Sequence, residues 1–151
     1  MPRKLVELFA TFFYVGRFPV APGTLASFVG ALMAIVVSKQ LVMYVLLTGI
    51  VTIIGFAVGG QMEKIVKEKD PSCVVIDEVA GIMISLFMLP LTPAVIVTTF
   101  FLFRAFDMFK IYPVNKLEKL NGAAGIMTDD LVAGLYTNLI MQVAVRWAGI
   151  Y

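Results

Sequence analysis

The chain has 151 residues, of which 60% are hydrophobic and 15% are charged, with a net charge of +2. Soluble domains carry about 45–50% apolar and about 25% charged residues, and a fold of this size cannot bury such an apolar excess. The composition therefore excludes an ordinary water-soluble domain and predicts a single membrane-embedded domain over residues 1–151. The absence of histidine and the single cysteine exclude internal disulfides and phosphohistidine chemistry, and they argue against most zinc sites.

The first part of the chain predicts a short interfacial helix over about residues 4–14 and then a turn rich in proline and glycine. We expect no removable signal peptide, because no clear cleavage site follows the short apolar run. Thr24 stands at the end of the turn, and two interpretations of it stay open. It caps the next helix, or the Gly-Thr backbone presents N–H groups to a phosphate.

Two apolar segments, residues 25–37 and 41–60, predict a first helical hairpin with its tip at Lys39. The second segment has about the length that is needed to cross a bilayer. Residues 61–69 follow as a charged, amphipathic tail.

A second hairpin is predicted from two prolines in the next apolar run. Pro90 and Pro93 interrupt the helix and place a tip near Leu91. Counted from that tip, Asp77 and Asp107 lie at similar distances, roughly 21–24 Å at about 1.5 Å per residue. The hairpin therefore brings the acidic groups of both arms to nearly one depth, close to the membrane boundary.

The last third of the chain predicts a short polar helix near residues 113–120, a flexible turn at 121–125 and a final helix over 131–148. Asp129 and Asp130 are expected to begin that helix. The predicted fold is all-α, a small polytopic membrane helical bundle with two helical hairpins and a final helix.

The basic residues predict the topology of five membrane helices. Ten of the twelve lysines and arginines fall on the side that holds the N-terminus, the segment before Asp77 and the polar stretch 104–130. Lys39 and Arg146 fall on the other side. Because basic residues accumulate on the cytoplasmic side, we expect the acidic cluster to be cytoplasmic.

Carboxylates near the membrane edge are the strongest functional signal, since ionisable groups there are costly and usually functional. They are Asp77, Glu78, Asp107, Asp129 and Asp130. Their number exceeds what Arg104 and Lys110 can neutralise, and an oxygen-ligated Mg²⁺ fits the surplus. A purely structural ion-pair cluster is the alternative, and one of the two final aspartates could simply cap a helix.

Arg104, Asp107 and Lys110 are spaced to lie along one helix face. Such a face would offer an anion two cations, with a carboxylate between them that could hold a metal ion. The alternative is an ordinary salt bridge at a helix end, where cations also complement the helix dipole.

Four segments together resemble the phosphatidylglycerophosphatase A family. They are Gly16-x-x-Pro19-x-Ala-Pro-Gly-Thr24-x-x-Ser27, Asp77-Glu78-Val-x-Gly81, Phe103-Arg-x-Phe-Asp107-x-x-Lys110 and Gly125-Ile-Met-x-Asp129-Asp130-x-x-Ala-Gly134. The resemblance implies a Mg²⁺-dependent membrane enzyme that removes the terminal phosphate of phosphatidylglycerophosphate to give phosphatidylglycerol in bacterial phospholipid synthesis.

The resemblance also implies roles for the charged residues. Arg104 and Lys110 would bind phosphate, and the five carboxylates named above would contribute to the metal site. The expected mechanism is attack by water assisted by Mg²⁺, and a covalent aspartyl-phosphate on Asp107 or Asp129 stays open as an alternative.

Two other classes of membrane protein also use clustered carboxylates. An ion-coupled transporter would distribute polar groups across the membrane depth, whereas this chain keeps them near one edge. A CDP-alcohol transferase-like enzyme would group its carboxylates in one Asp- and Gly-rich motif, which the sequence lacks. We expect an anionic phospholipid of the inner leaflet as substrate, the bacterial inner membrane as location and no nucleic-acid partner, and the oligomeric state stays open.

Overall fold

The computed structural model describes residues 1–149, and this part of the chain is all-helical without any strand. A 3-10 turn, Val15–Arg17, lies between the first two of seven α-helices. The helices are α1 Arg3–Ala10, α2 Pro22–Val37, α3 Leu41–Val66, α4 Ile76–Leu86, α5 Pro93–Phe109, α6 Val114–Leu117 and α7 Ala123–Ala148. The predicted all-α bundle, with hairpins α2–α3 and α4–α5 and a long final helix, is confirmed.

Helix α4 lies at the centre of the bundle and packs against α2, α3, α5 and α7. Beyond its acidic first turn its sequence is almost entirely apolar, as expected for a helix surrounded by other helices, and Val79, Ile82 and Met83 are fully buried. Its closest neighbour is α7. A Cβ atom on Gly134 would collide with the backbone carbonyl of Gly81, so the two helix backbones are in direct contact at this crossing.

Helix α3 is long and apolar enough to cross a membrane, and it alone meets this criterion among the described helices. Large apolar side chains such as Val42, Leu46 and Ile53 are exposed on its outer face, where lipid would be a more favourable neighbour than water. On its inner face, the Tyr44 hydroxyl donates a hydrogen bond of 2.6 Å to the carbonyl of Met83 in α4.

The early helix boundaries differ from the predicted ones. Helix α1 ends at Ala10. Shortly after it, Phe12 has a positive φ of 46°, which does not continue an α-helix. Helix α2 begins at Pro22, a residue favoured in the first helical position, so Thr24 lies inside the first turn and does not cap it. Helix α3 continues to Val66, well into the segment predicted as a charged tail.

The start of α7 also lies earlier than predicted. Gly122 adopts a φ of 68°, and the helix begins immediately after it at Ala123. Alanine is the best helix former, so the segment predicted as a flexible turn supplies the first helical residues. The prediction that Asp129 and Asp130 begin the final helix is wrong, because both lie in its second turn, where neither can act as a cap.

Candidate functional site

The charged residues meet in one pocket of about 440 Å³ at an end of the bundle, which we call the charged pocket. The start of α2, the loop before α4, the first turn of α4, the end of α5 and the second turn of α7 form its walls. All predicted site residues line it, namely Thr24, Asp77, Glu78, Arg104, Asp107, Lys110, Asp129 and Asp130. Asp77 and Asp107 therefore reach the same pocket from opposite arms of the second hairpin, as the prediction of similar depth requires.

The carboxylates of the charged pocket form two overlapping groups that could hold a metal ion. One oxygen each of Asp77, Asp129 and Asp130 lie within 4.8 Å of one another, and the same holds for Glu78, Asp107 and Asp130. Asp130 belongs to both groups. A cation held by either group would therefore have Asp130 among its ligands.

Several carboxylate oxygens of this cluster are buried and unpaired. Asp77 Oδ1, Glu78 Oε2 and Asp130 Oδ2 have no hydrogen-bond partner among residues 1–149, and the Asp77 and Asp130 residues are only 6% and 2% exposed. Buried charges are normally paired or coordinate metals, because leaving them alone costs several kcal/mol. The donor set, all oxygen and partly unpaired, fits a hard divalent cation. Buried acidic groups of this chain could therefore bind a metal ion.

Burial changes the protonation of these acids. It raises the pKa of Asp77 well above the usual value, and the neighbouring Glu78 and Asp130 carboxylates add to the effect. Burial likewise raises the pKa of Asp130, with Asp107 and Glu78 as the nearest like charges. Without a cation the cluster therefore tends to keep protons, and binding of a cation would release them.

The two cations of the pocket each contact a carboxylate of the cluster. Arg104 Nη1 donates to Asp107 Oδ2 at 2.5 Å, and Lys110 Nζ donates to Asp129 Oδ2 at 2.8 Å. Lys110 also pairs with Glu118 at 3.1 Å. Burial acts to lower the pKa of Lys110, but these two ion pairs outweigh it and raise the pKa above its usual value.

The predicted single face of Arg104, Asp107 and Lys110 is only partly correct. Helix α5 ends at Phe109, and Lys110 follows it with a φ of 47°. That left-handed conformation turns Lys110 away from the helix face and towards α7. Arg104 therefore pairs with Asp107 on its own helix, whereas Lys110 pairs with Asp129 of α7.

The start of α2 completes the pocket with backbone donors. The amides of Gly23 and Thr24 lie in the first turn, where no intrahelical acceptor is available. Gly23 packs directly on α4, because a Cβ atom there would collide with the Glu78 carboxylate. Thr24 is exposed and lines the pocket. A helix N-terminus beside two cations is a favourable place for a phosphate.

Sequence reasoning missed three polar residues at this site. Asp70 and Ser72 line the charged pocket from the loop before α4, and Glu118 pairs with Lys110. Asp70 has a φ of 49°, and its N–H donates to Glu63 Oε1 at 3.1 Å. The signal in the sequence is the Asp-Pro dipeptide between α3 and α4, which favours a turn but does not indicate that the turn reaches the site.

Known proteins resemble the chain over most of its length. A family model described as Phosphatidylglycerophosphatase A matches residues 8–145. A Bacteroides thetaiotaomicron protein, named as a candidate phosphatidylinositol-3-phosphatase, is 34% identical over 97% of this chain and 96% of its own. Proteins named phosphatidylglycerophosphatase A from Haemophilus influenzae and Escherichia coli are 29% and 32% identical, over 94% and 85% of this chain and 90% and 77% of theirs. No solved structure matches the chain at a significant level.

Proposed function

The chain belongs to the phosphatidylglycerophosphatase A family and is a phosphoric monoester hydrolase, and we propose that it converts phosphatidylglycerophosphate to phosphatidylglycerol in bacterial phospholipid biosynthesis. The composition of the charged pocket supports this proposal in addition to the family membership. The charged pocket combines two cations with six carboxylates, three of which hold buried, unpaired oxygens. Such a site can bind a phosphate dianion and a divalent cation side by side.

The metal in this proposal is Mg²⁺. The oxygen-only donor set and the unpaired atoms of Asp77, Glu78 and Asp130 support it, and Asp107 and Asp129 complete the set. When bound, Mg²⁺ supplies a Lewis acid that draws charge from the phosphoryl oxygens and lowers the pKa of water.

The protein's own residues bind and orient the phosphate. Arg104, Lys110 and the start of α2 at Thr24 would hold its oxygens, and their charge offsets the charge that builds up during transfer. The residues we expect to take part in the chemical step are Asp107, Asp129, Asp130 and Lys110. Asp107 and Asp129 each already pair with a cation, which weakens them as nucleophiles and favours attack by water over an aspartyl-phosphate. Trapping of a labelled acyl-phosphate in a single turnover would overturn this choice.

The location we propose is the bacterial inner membrane, with residues 1–151 as a single multi-pass domain and the charged pocket on the cytoplasmic side. Helix α3 supports membrane association. The concentration of basic residues at the end of the bundle that holds the pocket supports the orientation. The anionic substrate would then be taken from the inner leaflet.

A second candidate substrate is phosphatidylinositol 3-phosphate. The name of the Bacteroides relative favours it, and both lipids carry a phosphomonoester on a glycerophospholipid head group. The transporter alternative gains no support from any of the similar proteins.

Phosphate release from the purified protein in detergent tests the function. We expect Mg²⁺-dependent release from phosphatidylglycerophosphate, loss of release in EDTA, and a much slower reaction with phosphatidylinositol 3-phosphate. Asp130→Asn is the sharpest variant, since Asp130 belongs to both carboxylate groups, and Glu68→Gln is its control because Glu68 is exposed and lies outside the pocket. A wild type that is folded but releases no phosphate from either lipid would overturn the proposal.

A further inference from the structure

An apolar groove of about 380 Å³ adjoins the charged pocket, and we call it the side groove. It lies between the turn after the 3-10 segment, helix α2 and helix α5. Ala21 and Thr24 line both the side groove and the charged pocket. The two spaces therefore meet at the start of α2.

The walls of the side groove away from this junction are apolar. They are formed by Phe18, Val20, Leu25, Phe28 and Phe100. Phe18, Val20 and Phe28 are 53%, 70% and 54% exposed. A contiguous group of exposed large apolar side chains marks a surface that contacts an apolar partner.

The direction of the side groove matches that of a membrane lipid. Thr24 lies at its charged end, and Phe28 lies one turn further along α2, about 6 Å at about 1.5 Å per residue. Exposed apolar residues continue in the same direction, with Leu32 on α2 and Val97 on α5. A lipid whose phosphate lies among the charged residues would extend its chains along α2 and α5, away from the charged end of the bundle.

A second apolar groove on the same molecule lacks this continuity. It has about 400 Å³, lies between α3, α4 and α7, and is lined by residues such as Tyr44 and Ile53. None of its wall residues lines the charged pocket. Apolar character alone therefore does not distinguish the side groove, whereas its junction with the phosphate-binding residues does.

We propose that the side groove binds the glycerol backbone and an acyl chain of the phospholipid whose phosphate occupies the charged pocket. The inference rests on the proposed lipid phosphatase function and adds the route of the substrate. The lipid enters sideways, between the turn at Phe18–Ala21 and helix α5, without its chains leaving the bilayer. The acyl chain is then part of what the enzyme recognises.

The test compares two substrates that carry the same phosphomonoester. One is long-chain phosphatidylglycerophosphate in mixed micelles, and the other is its deacylated, water-soluble head group. Phe28→Ala should raise the KM for the long-chain lipid about fivefold, since an aromatic side chain then no longer covers the chain. The same variant should leave kcat/KM for the head group unchanged.

Phe101→Ala is the matched control. Phe101 is a 68% exposed phenylalanine on α5 that does not line the side groove, and its variant should behave as wild type with both substrates. An equal effect of Phe28→Ala on both substrates, or no effect on either, would overturn the side-groove proposal. Failure of wild type to hydrolyse any phosphatidylglycerophosphate would instead overturn the proposed function, so the two failures are distinct.

Discussion

Glu78→Gln is expected to stabilise the metal-free protein while it removes most of the phosphatase activity. Glu78 lies in the first turn of α4, and its buried Oε2 has no hydrogen-bond partner among the described residues. Burial raises the pKa of Glu78 from 4.5 to about 7. At about 1.4 kcal/mol per pKa unit, keeping this carboxylate ionised above pH 7 costs up to about 3 kcal/mol of folding free energy.

The pH dependence of this cost has a definite sign. Because the pKa is higher in the folded protein than in the unfolded chain, the cost is absent below about pH 4.5 and complete above about pH 7. In EDTA, the unfolding temperature of wild type should therefore fall across this window. Glutamine has nearly the same shape as glutamate and no charge, so the unfolding temperature of Glu78→Gln should fall less across this window. Near pH 8 the variant should unfold several degrees above wild type, at about 2–4 °C per kcal/mol.

Mg²⁺ should reverse this order. It would raise the unfolding temperature of wild type by binding to the folded state, whereas Glu78→Gln should respond weakly and lose at least about 100-fold in kcat/KM. Thermal unfolding in detergent, with EDTA or Mg²⁺, measures both effects. A variant that is no more stable than wild type in EDTA near pH 8 would refute the reasoning, and Glu68→Gln, at an exposed carboxylate, should change nothing.

Three further predictions follow from the charged pocket. Gly23→Ala should lower kcat by about 100-fold, because its Cβ would displace the Glu78 carboxylate from the cluster. In the control Gly49→Ala the added Cβ would meet open space, so this variant should keep full activity. Equal kcat values for the two variants would contradict the packing of Gly23 on Glu78. Lys110→Met should lower kcat/KM by about 100-fold and Lys110→Arg by less, since arginine keeps the charge beside Asp129. Equal losses in the two variants would show that the shape of the lysine side chain matters and its charge does not. Mg²⁺ binding should release protons near pH 6, because burial raises the pKa of Glu78 to about 7 and also raises those of Asp77 and Asp130. Calorimetry in two buffers of different ionisation enthalpy would detect these protons, and their absence would contradict the ligand assignment.

The membership of the charged pocket could be predicted because charge is rare in this sequence. The neighbouring pair Asp77 and Glu78 and, on the other side, Asp107 are the acidic residues nearest to a proline-marked hairpin tip. Their similar distances from that tip were enough to predict that they lie together. The direction of Lys110 could not be predicted, since it depends on the left-handed conformation just beyond α5. Asp70 also escaped prediction, because only the folded loop brings it to the pocket wall.

The position of the final helix shows how local rules can fail. An Asp-Asp pair before an apolar run is typical of a helix start, yet α7 begins well before it, after Gly122. The reason lies in packing. A Cβ atom on Gly125 would collide with the carbonyl of Leu120, so the early part of α7 is held against the preceding turn by a contact that no periodicity reveals.

The glycine crossing of α4 and α7 has a consequence for ion size. Asp77 lies one helical turn before Gly81, and Asp130 lies one turn before Gly134, so the contact between the two backbones sets the spacing of these carboxylates. Oxygen ligands lie about 2.0–2.1 Å from Mg²⁺ and about 2.3–2.6 Å from Ca²⁺, so the spacing of these carboxylates bears on the size of a cation that they could hold. A methyl group at Gly134 would collide with the carbonyl of Gly81, so Gly134→Ala should change the spacing of these carboxylates, although neither glycine has a ligand atom in its side chain.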